Sequence, residues 1–291
     1  MSSDPWGDLA NSLNGVCVRF EEDRRTHEGF LQGSPAAVDV GDEPFAGDWG
    51  PAPARNANMA GLNLAFVAMD HLASLAVLLR SPTPPVCGPS AVGRSAMEVA
   101  ARAHYLLDPG IPTLERIRRH QNDRLVTLWE QKQLAALAKQ PSDEPDARVE
   151  AIFRSARRFG LTPRPSNKPP FIAPGPPNAT DLIDDVVGKG DGVGAIYYKT
   201  LSAVTHGREH GMTQYLQRHA ALLDRTHGDV LASFGTTPLK TARYLFGTLL
   251  AVTDMLDRLY PRFGWPATGV RRDVDTMLLV WVRIAEVTIP S

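Results

Sequence analysis

Residues 56–79 read NANMAGLNLAFVAMDHLASLAVLL, and the period within this stretch decides the class of fold. Leu62, Phe66, Met69, Leu72, Ala76 and Leu79 recur at three- and four-residue steps, the spacing of a helix with one apolar face. The punctuation on either side repeats the pattern. Four prolines between residues 81 and 89 impose a turn, and a second helix follows over 91–107, stopped by Asp108-Pro109-Gly110. Pro112 with Thr113 opens a third helix, because proline fits a first helical turn, and it runs over 114–139 to Pro141. A fourth covers 145–159, with Gly160 as its C-cap. Seven prolines between 163 and 177 then mark an extended connector or lid without regular structure, followed by a short piece at 181–187 and a loop holding Gly188, Gly190, Gly192 and Gly194. Helices resume at 195–206, 214–223, 237–260 and 271–287.

Residues 1–57 are rich in Gly, Pro, Asp and Asn and are expected to form an irregular arm lying on the main body. Val16, Val18 and Phe20 alternate within it, which allows a short strand or helix, and Trp49 is its anchor. The chain therefore divides into an arm (1–57), an N-terminal helical part (58–160), a Pro/Gly-rich connector or lid (161–194) and a C-terminal helical part (195–291) sharing one core with 58–160. No repeat is found, and no clean alternation outside the arm. The expectation is all-α: a single bundle of about seven to nine helices.

Composition narrows the function classes. The 291 residues are 43% hydrophobic and 22% charged with a net charge of −1, which excludes a globally disordered or fibrous chain and gives no nucleic-acid footprint overall. Residues 1–50 hold ten acidic residues against three Arg, whereas 111–170 hold twelve Lys/Arg against seven acidic residues. Either the two regions face each other, or the second is a basic face for an anionic ligand. Cys17 and Cys87 form no CxxC pair and are read as free thiols. The N-terminus MSSDPWGDLANSLNG has neither a basic start nor an apolar core. No run reaches the ~18 uninterrupted apolar residues of a membrane span. A cytoplasmic protein is expected.

Two polar stripes stand out. In Arg94-Ser-Ala-Met-Glu98-Val-Ala-Ala-Arg102 the charges lie at i, i+4 and i+8 within an otherwise apolar helix. They form either a structural ion-pair network or a carboxylate held in a pocket. In Tyr198-Lys-Thr-Leu-Ser202-Ala-Val-Thr-His206 a phenol, a hydroxyl and an imidazole share one face. Each polar tip needs a partner if buried, and His206 is suited to proton transfer near neutral pH. Glu98, Tyr198, Ser202 and His206 are thus the candidate catalytic residues. Arg94, Arg102, Arg119 and His120 are candidates for holding substrate, the last two from Glu115-Arg-Ile-Arg-Arg119-His120. His206 and His210 are i,i+4, but no third ligand is indicated, so no metal and no cofactor are expected. Asp181-Leu-Ile-Asp-Asp185 lacks the companion hydroxyl of a magnesium-diphosphate site. Gly190-Asp-Gly-Val-Gly194 follows no strand and is not a dinucleotide fingerprint.

The pair Arg-Ser-x-x-Glu and Tyr-x-x-Leu-Ser-x-x-x-His-Gly resembles uncharacterised bacterial all-helical families, which are in turn distantly similar to the HEPN superfamily. The resemblance covers residues 58–210. It implies an RNA-linked helical protein of defence or regulation. In that setting His206 takes the place of the superfamily's histidine and Ser202 its polar position, while Leu201 stands where catalytic members carry Arg; the nearest cation is Lys199. Two other roles fit the same residues. One is an enzyme acting on a small apolar molecule between helices, with the Pro-rich connector as lid and Trp129, Tyr105, Phe246 or Trp281 as lining. The other is a non-catalytic scaffold that homodimerises through its apolar C-terminal helix.

Overall fold

The computed structural model describes residues 4–41, 45–47, 49–140, 143–166, 168–223 and 230–286. In chain order the elements are α1 (Pro5–His27), α2 (Pro35–Gly41), α3 (Pro53–Leu79), α4 (Gly88–Leu106), α5 (Thr113–Leu137) and α6 (Glu144–Arg158). There follow β1 (Thr162–Arg164), β2 (Phe171–Ala173), α7 (Ala179–Gly188), α8 (Val193–Thr205) and the single turn α9 (Glu209–Met212). β3 (Leu216–Leu223), β4 (Val230–Phe234), α10 (Pro238–Phe263) and α11 (Ala267–Ala285) complete the chain. The protein is an all-α bundle. Its only sheets among the described residues are the antiparallel pairs β1–β2 and β3–β4.

Three expectations are corrected. The N-terminal arm is not irregular over its first half: α1 is a 23-residue helix, with Pro5 in its first turn. Leu9, Ala10, Leu13, Val16 and Phe20 recur at helical spacing and are buried, while Val18 points to solvent. The alternation of Val16, Val18 and Phe20 was thus two core positions and one surface position of a helix. Residues 216–223 form a strand where a helix is expected. The Pro-rich connector also holds regular structure, since β1 pairs with β2 in the register Pro163 opposite Ile172.

The main core gathers α1, α3, α4, α7, α8, α10 and α11. α3 lies at its centre, with Leu72, Leu75 and Leu79 fully buried. Its mean hydropathy of 1.8 makes it the one described helix long and apolar enough to cross a membrane. Of that apolar stretch 44% is buried inside the protein. Phe66, expected on the buried face, is instead 44% exposed, with the Arg24 guanidinium 5.3 Å above its ring. Ala65 and Ala68 fill the inward face, so helices can approach closely there. Gly93 serves the same purpose between α4 and α10: a Cβ there would lie 2.4 Å from Leu245, and Thr248 donates to the Gly93 carbonyl at 3.1 Å.

A smaller core joins residues 45–57 to α5, α6 and β2. Trp49 is its anchor, 2% exposed, and its indole N–H donates to the Ile152 carbonyl at 3.0 Å. The acidic N-terminal region meets the basic one at Asp39 of α2. That carboxylate accepts from Thr113 Oγ1 at 2.7 Å, Arg116 Nε at 3.3 Å and Arg262 Nη2. Asn58 accepts from Arg262 Nε at 2.9 Å and completes the cluster. Burial lowers the pKa of both Arg116 and Arg262 to about 10, which leaves them cationic.

Candidate functional site

The site begins where α4 packs on α8. Tyr198 lies opposite Arg94 and Glu98, which are one turn apart on α4. Arg94 Nη2 donates to the Tyr198 hydroxyl at 2.7 Å, and Tyr198 donates in turn to Glu98 Oε2 at 3.1 Å. Arg94 Nη2 also lies 3.4 Å from Glu98 Oε2, and its guanidinium sits 4.9 Å from the centroid of the Tyr198 ring. Burial raises the Tyr198 pKa, against the opposing pull of the Arg94 hydrogen bond. The phenol therefore keeps its proton and acts as donor to the carboxylate.

Glu98 projects from this triad into a half-enclosed cleft of about 300 Å³. Leu64 of α3, Leu106 of α4, Val126 of α5 and Leu182 of α7 supply its apolar wall. Arg102, Tyr105, Arg119, Asp123 and Glu130 supply the polar one, and Pro176 and Pro177 close one side. The two arginines are already committed. Arg102 Nη2 is bonded to Asp123 Oδ1. Arg119 lies 3.9 Å from the centroid of the Tyr105 ring and donates to Glu115 at 2.9 Å and to the Tyr105 carbonyl at 2.6 Å.

The connector is fastened by α5. Asn122 Nδ2 donates to the Ile172 carbonyl at 3.0 Å, and its Oδ1 accepts from the Ile172 amide at 2.6 Å. Arg118, 2% exposed, donates to the carbonyls of Ile172 and Pro174 and is neutralised by Glu115 at 2.6 Å. This clamp positions Pro176 and Pro177 over the cleft.

The structure divides the candidates. Glu98, Arg102 and Arg119 line the cleft, and Arg94 and Tyr198 stand behind Glu98. Ser202 and His206 do not line it. His206 is the exposed C-cap of α8, eight residues or about 12 Å of helix rise beyond Tyr198. The row of phenol, hydroxyl and imidazole therefore does not converge on one carboxylate. His120 is also outside the cleft. Burial, with help from Arg124, lowers its pKa to about 4, and its Nδ1 has no hydrogen-bond partner. Among the aromatic residues expected as lining only Tyr105 contributes; Trp281 is fully buried in the main core.

Arg118 lies in the same charged run as Arg119 and His120 without being a candidate, and so do Asn122 and Asp123. Their signal is the spacing of 119, 122, 123, 126, 127 and 130, which all face one side of α5. The glycine loop has a structural explanation: Asp184 accepts from the amides of Gly192 and Ala195, both at 3.1 Å, and so caps α8 itself. No three His, Cys, Asp or Glu side chains among the described residues come together as a metal site. Set against family models, curated proteins and solved structures, the chain matches none.

Proposed function

We propose that the protein is a small-molecule-binding helical protein whose site is the cleft between α3, α4, α5 and α7. The observation that carries this is the union, in one half-enclosed space of about 300 Å³, of an apolar wall and a carboxylate held by the Tyr198 hydroxyl and the Arg94 guanidinium. That size and mixture suit a compact ligand. The clamped Pro-rich connector forms a wall of the site rather than a linker. The unpaired thiols of Cys17 and Cys87 support a cytoplasmic setting.

An RNA-linked, HEPN-like role is the second reading. It is favoured by His206, Arg208 and His210, which are exposed together at the end of α8. It is weakened by Leu201, which is fully buried and offers nothing to a phosphate. One screen separates the two. Thermal unfolding with a small-molecule library should give hits that stabilise the wild type and lose their effect in Val126→Trp, which fills the cleft. A saturating ligand at a hundredfold its Kd contributes about 2.7 kcal/mol. Hits unaffected by Val126→Trp would place binding elsewhere. RNA cleavage by the wild type that disappears in His206→Ala would establish the HEPN-like role instead.

A further inference from the structure

We infer that the ligand of this cleft is an organic polycation: an aliphatic diamine or polyamine, with ammonium groups separated by an apolar stem. This rests on the cleft being the binding site and adds the chemical class of its occupant.

The inventory of polar atoms points to a cation. Glu98 Oε2 takes both Tyr198 and Arg94, so the carboxylate is fixed in place. No hydrogen bond or ion pair from the described residues reaches its Oε1. The same holds for Asp123 Oδ2, since Arg102 engages only Oδ1, and for both oxygens of Glu130. The cations of the wall are occupied, Arg102 by Asp123 and Arg119 by Glu115, a backbone carbonyl and the Tyr105 ring. No lysine lines the cleft. An anionic ligand would meet guanidiniums already neutralised by Asp123 and Glu115, whereas an ammonium group meets carboxylate oxygens without a protein partner among the described residues, and the three carboxylates of the lining outnumber its two guanidiniums.

The spacing of these acceptors points to more than one ammonium. They do not converge on a point, as a metal ion would require. Asp123 and Glu130 are two turns apart on α5, about 10 Å of rise, with Val126 between them on the same face and Leu64 and Leu182 also in the wall. A molecule that places charge at both ends and methylenes in the middle matches carboxylate, apolar wall and carboxylate in turn.

The test is calorimetric titration of the full chain with 1,5-diaminopentane and spermidine, using pentane-1,5-diol and hexanoate as neutral and anionic controls. The amines should bind at least tenfold more tightly than either control. Affinity should fall with added salt. It should also fall at least fivefold in Glu130→Gln, an exposed position whose replacement leaves the fold intact, and be lost in Val126→Trp. Diol or hexanoate binding as tightly as the diamine, and lost in Val126→Trp, would refute the polycation while leaving the cleft as the site. Amine binding unchanged in Glu130→Gln, Glu98→Gln and Val126→Trp would be surface attraction and would overturn the inference. So would no amine binding at millimolar concentration; the library screen then judges the cleft independently.

Discussion

Glu98 and His104 sit six residues apart on α4 and meet opposite demands. Glu98 is fixed in place by the Tyr198 hydroxyl, which donates to it, and by the ion pair with Arg94. His104 is 6% exposed, and burial with the nearby Arg258 lowers its pKa to about 4. It folds as neutral imidazole. Since its folded pKa lies below the unfolded value of about 6.5, the unfolded chain takes up a proton first as pH falls. Stability is thus lost between pH 6.5 and 4, at about 1.4 kcal/mol per pH unit for this group. His120 adds in the same direction. Urea unfolding at pH 7 and pH 5 should show a loss of about 2 kcal/mol from His104 alone, and His104→Gln should flatten that difference. The depressed carboxylates Asp108 and Glu115 act only at lower pH, as they become protonated. The Arg94–Glu98 pair is legible in the sequence from its i,i+4 spacing. That Tyr198 would close on it from another helix is not, because the nine-residue polar stripe from Tyr198 to the C-cap of α8 presents three groups and only packing selects one.

Among the elements, α5 has the most varied environment. One face enters the smaller core through Ile117, Leu125 and Leu128. A second holds the connector through Arg118 and Asn122, and a third lines the cleft. Its last turns stand clear of the body, with Leu137 81% exposed. The clamp gives a specific prediction. Asn122→Ala leaves the Ile172 amide and carbonyl without their side-chain partner inside the protein, at a cost of about 1–3 kcal/mol. It should free the connector locally: limited proteolysis within residues 163–177 should become faster than in the wild type, with far-ultraviolet circular dichroism unchanged. Equal cleavage rates would show that Arg118 holds the connector alone. Sequence reasoning places a proline-rich connector here but finds neither the β1–β2 pair, whose strands are only three residues long, nor its anchor, which comes from a contact fifty residues away.

At the scale of the whole molecule, Asp39 joins α2 to α3, α5 and α10 in one buried ionic cluster. Two guanidiniums depend on it, Arg116 at 1% and Arg262 at 7% exposure. Removing the carboxylate strands two buried positive charges, and breaking a buried pair in this way costs about 3–5 kcal/mol. Against a total stability of roughly 5–15 kcal/mol for a typical domain, Asp39→Ala should lower the urea midpoint severely, and Asp39→Asn should restore only part of it. A midpoint within error of the wild type would show that the cluster is dispensable. The opposite net charges of residues 1–50 and 111–170 are legible as composition. Their meeting at Asp39 is not.

What the sequence by itself determined is the class of fold and most of its helices. Helical period and proline punctuation are local properties, carried by residues within a few turns of one another. It also marked Arg94, Glu98 and Tyr198 as polar groups in apolar helices, Arg102 and Arg119 as candidate site cations, and Trp49 as an anchor. Only the tertiary structure decided that α1 belongs to the core, that Phe66 faces outward, and that His206 stands outside the cleft, about two turns of α8 beyond Tyr198. The cleft itself is a tertiary feature. Its walls come from four helices and a connector spread over more than a hundred residues. A periodicity says which face of a helix is apolar, but not which neighbour covers it or where two helices leave a gap.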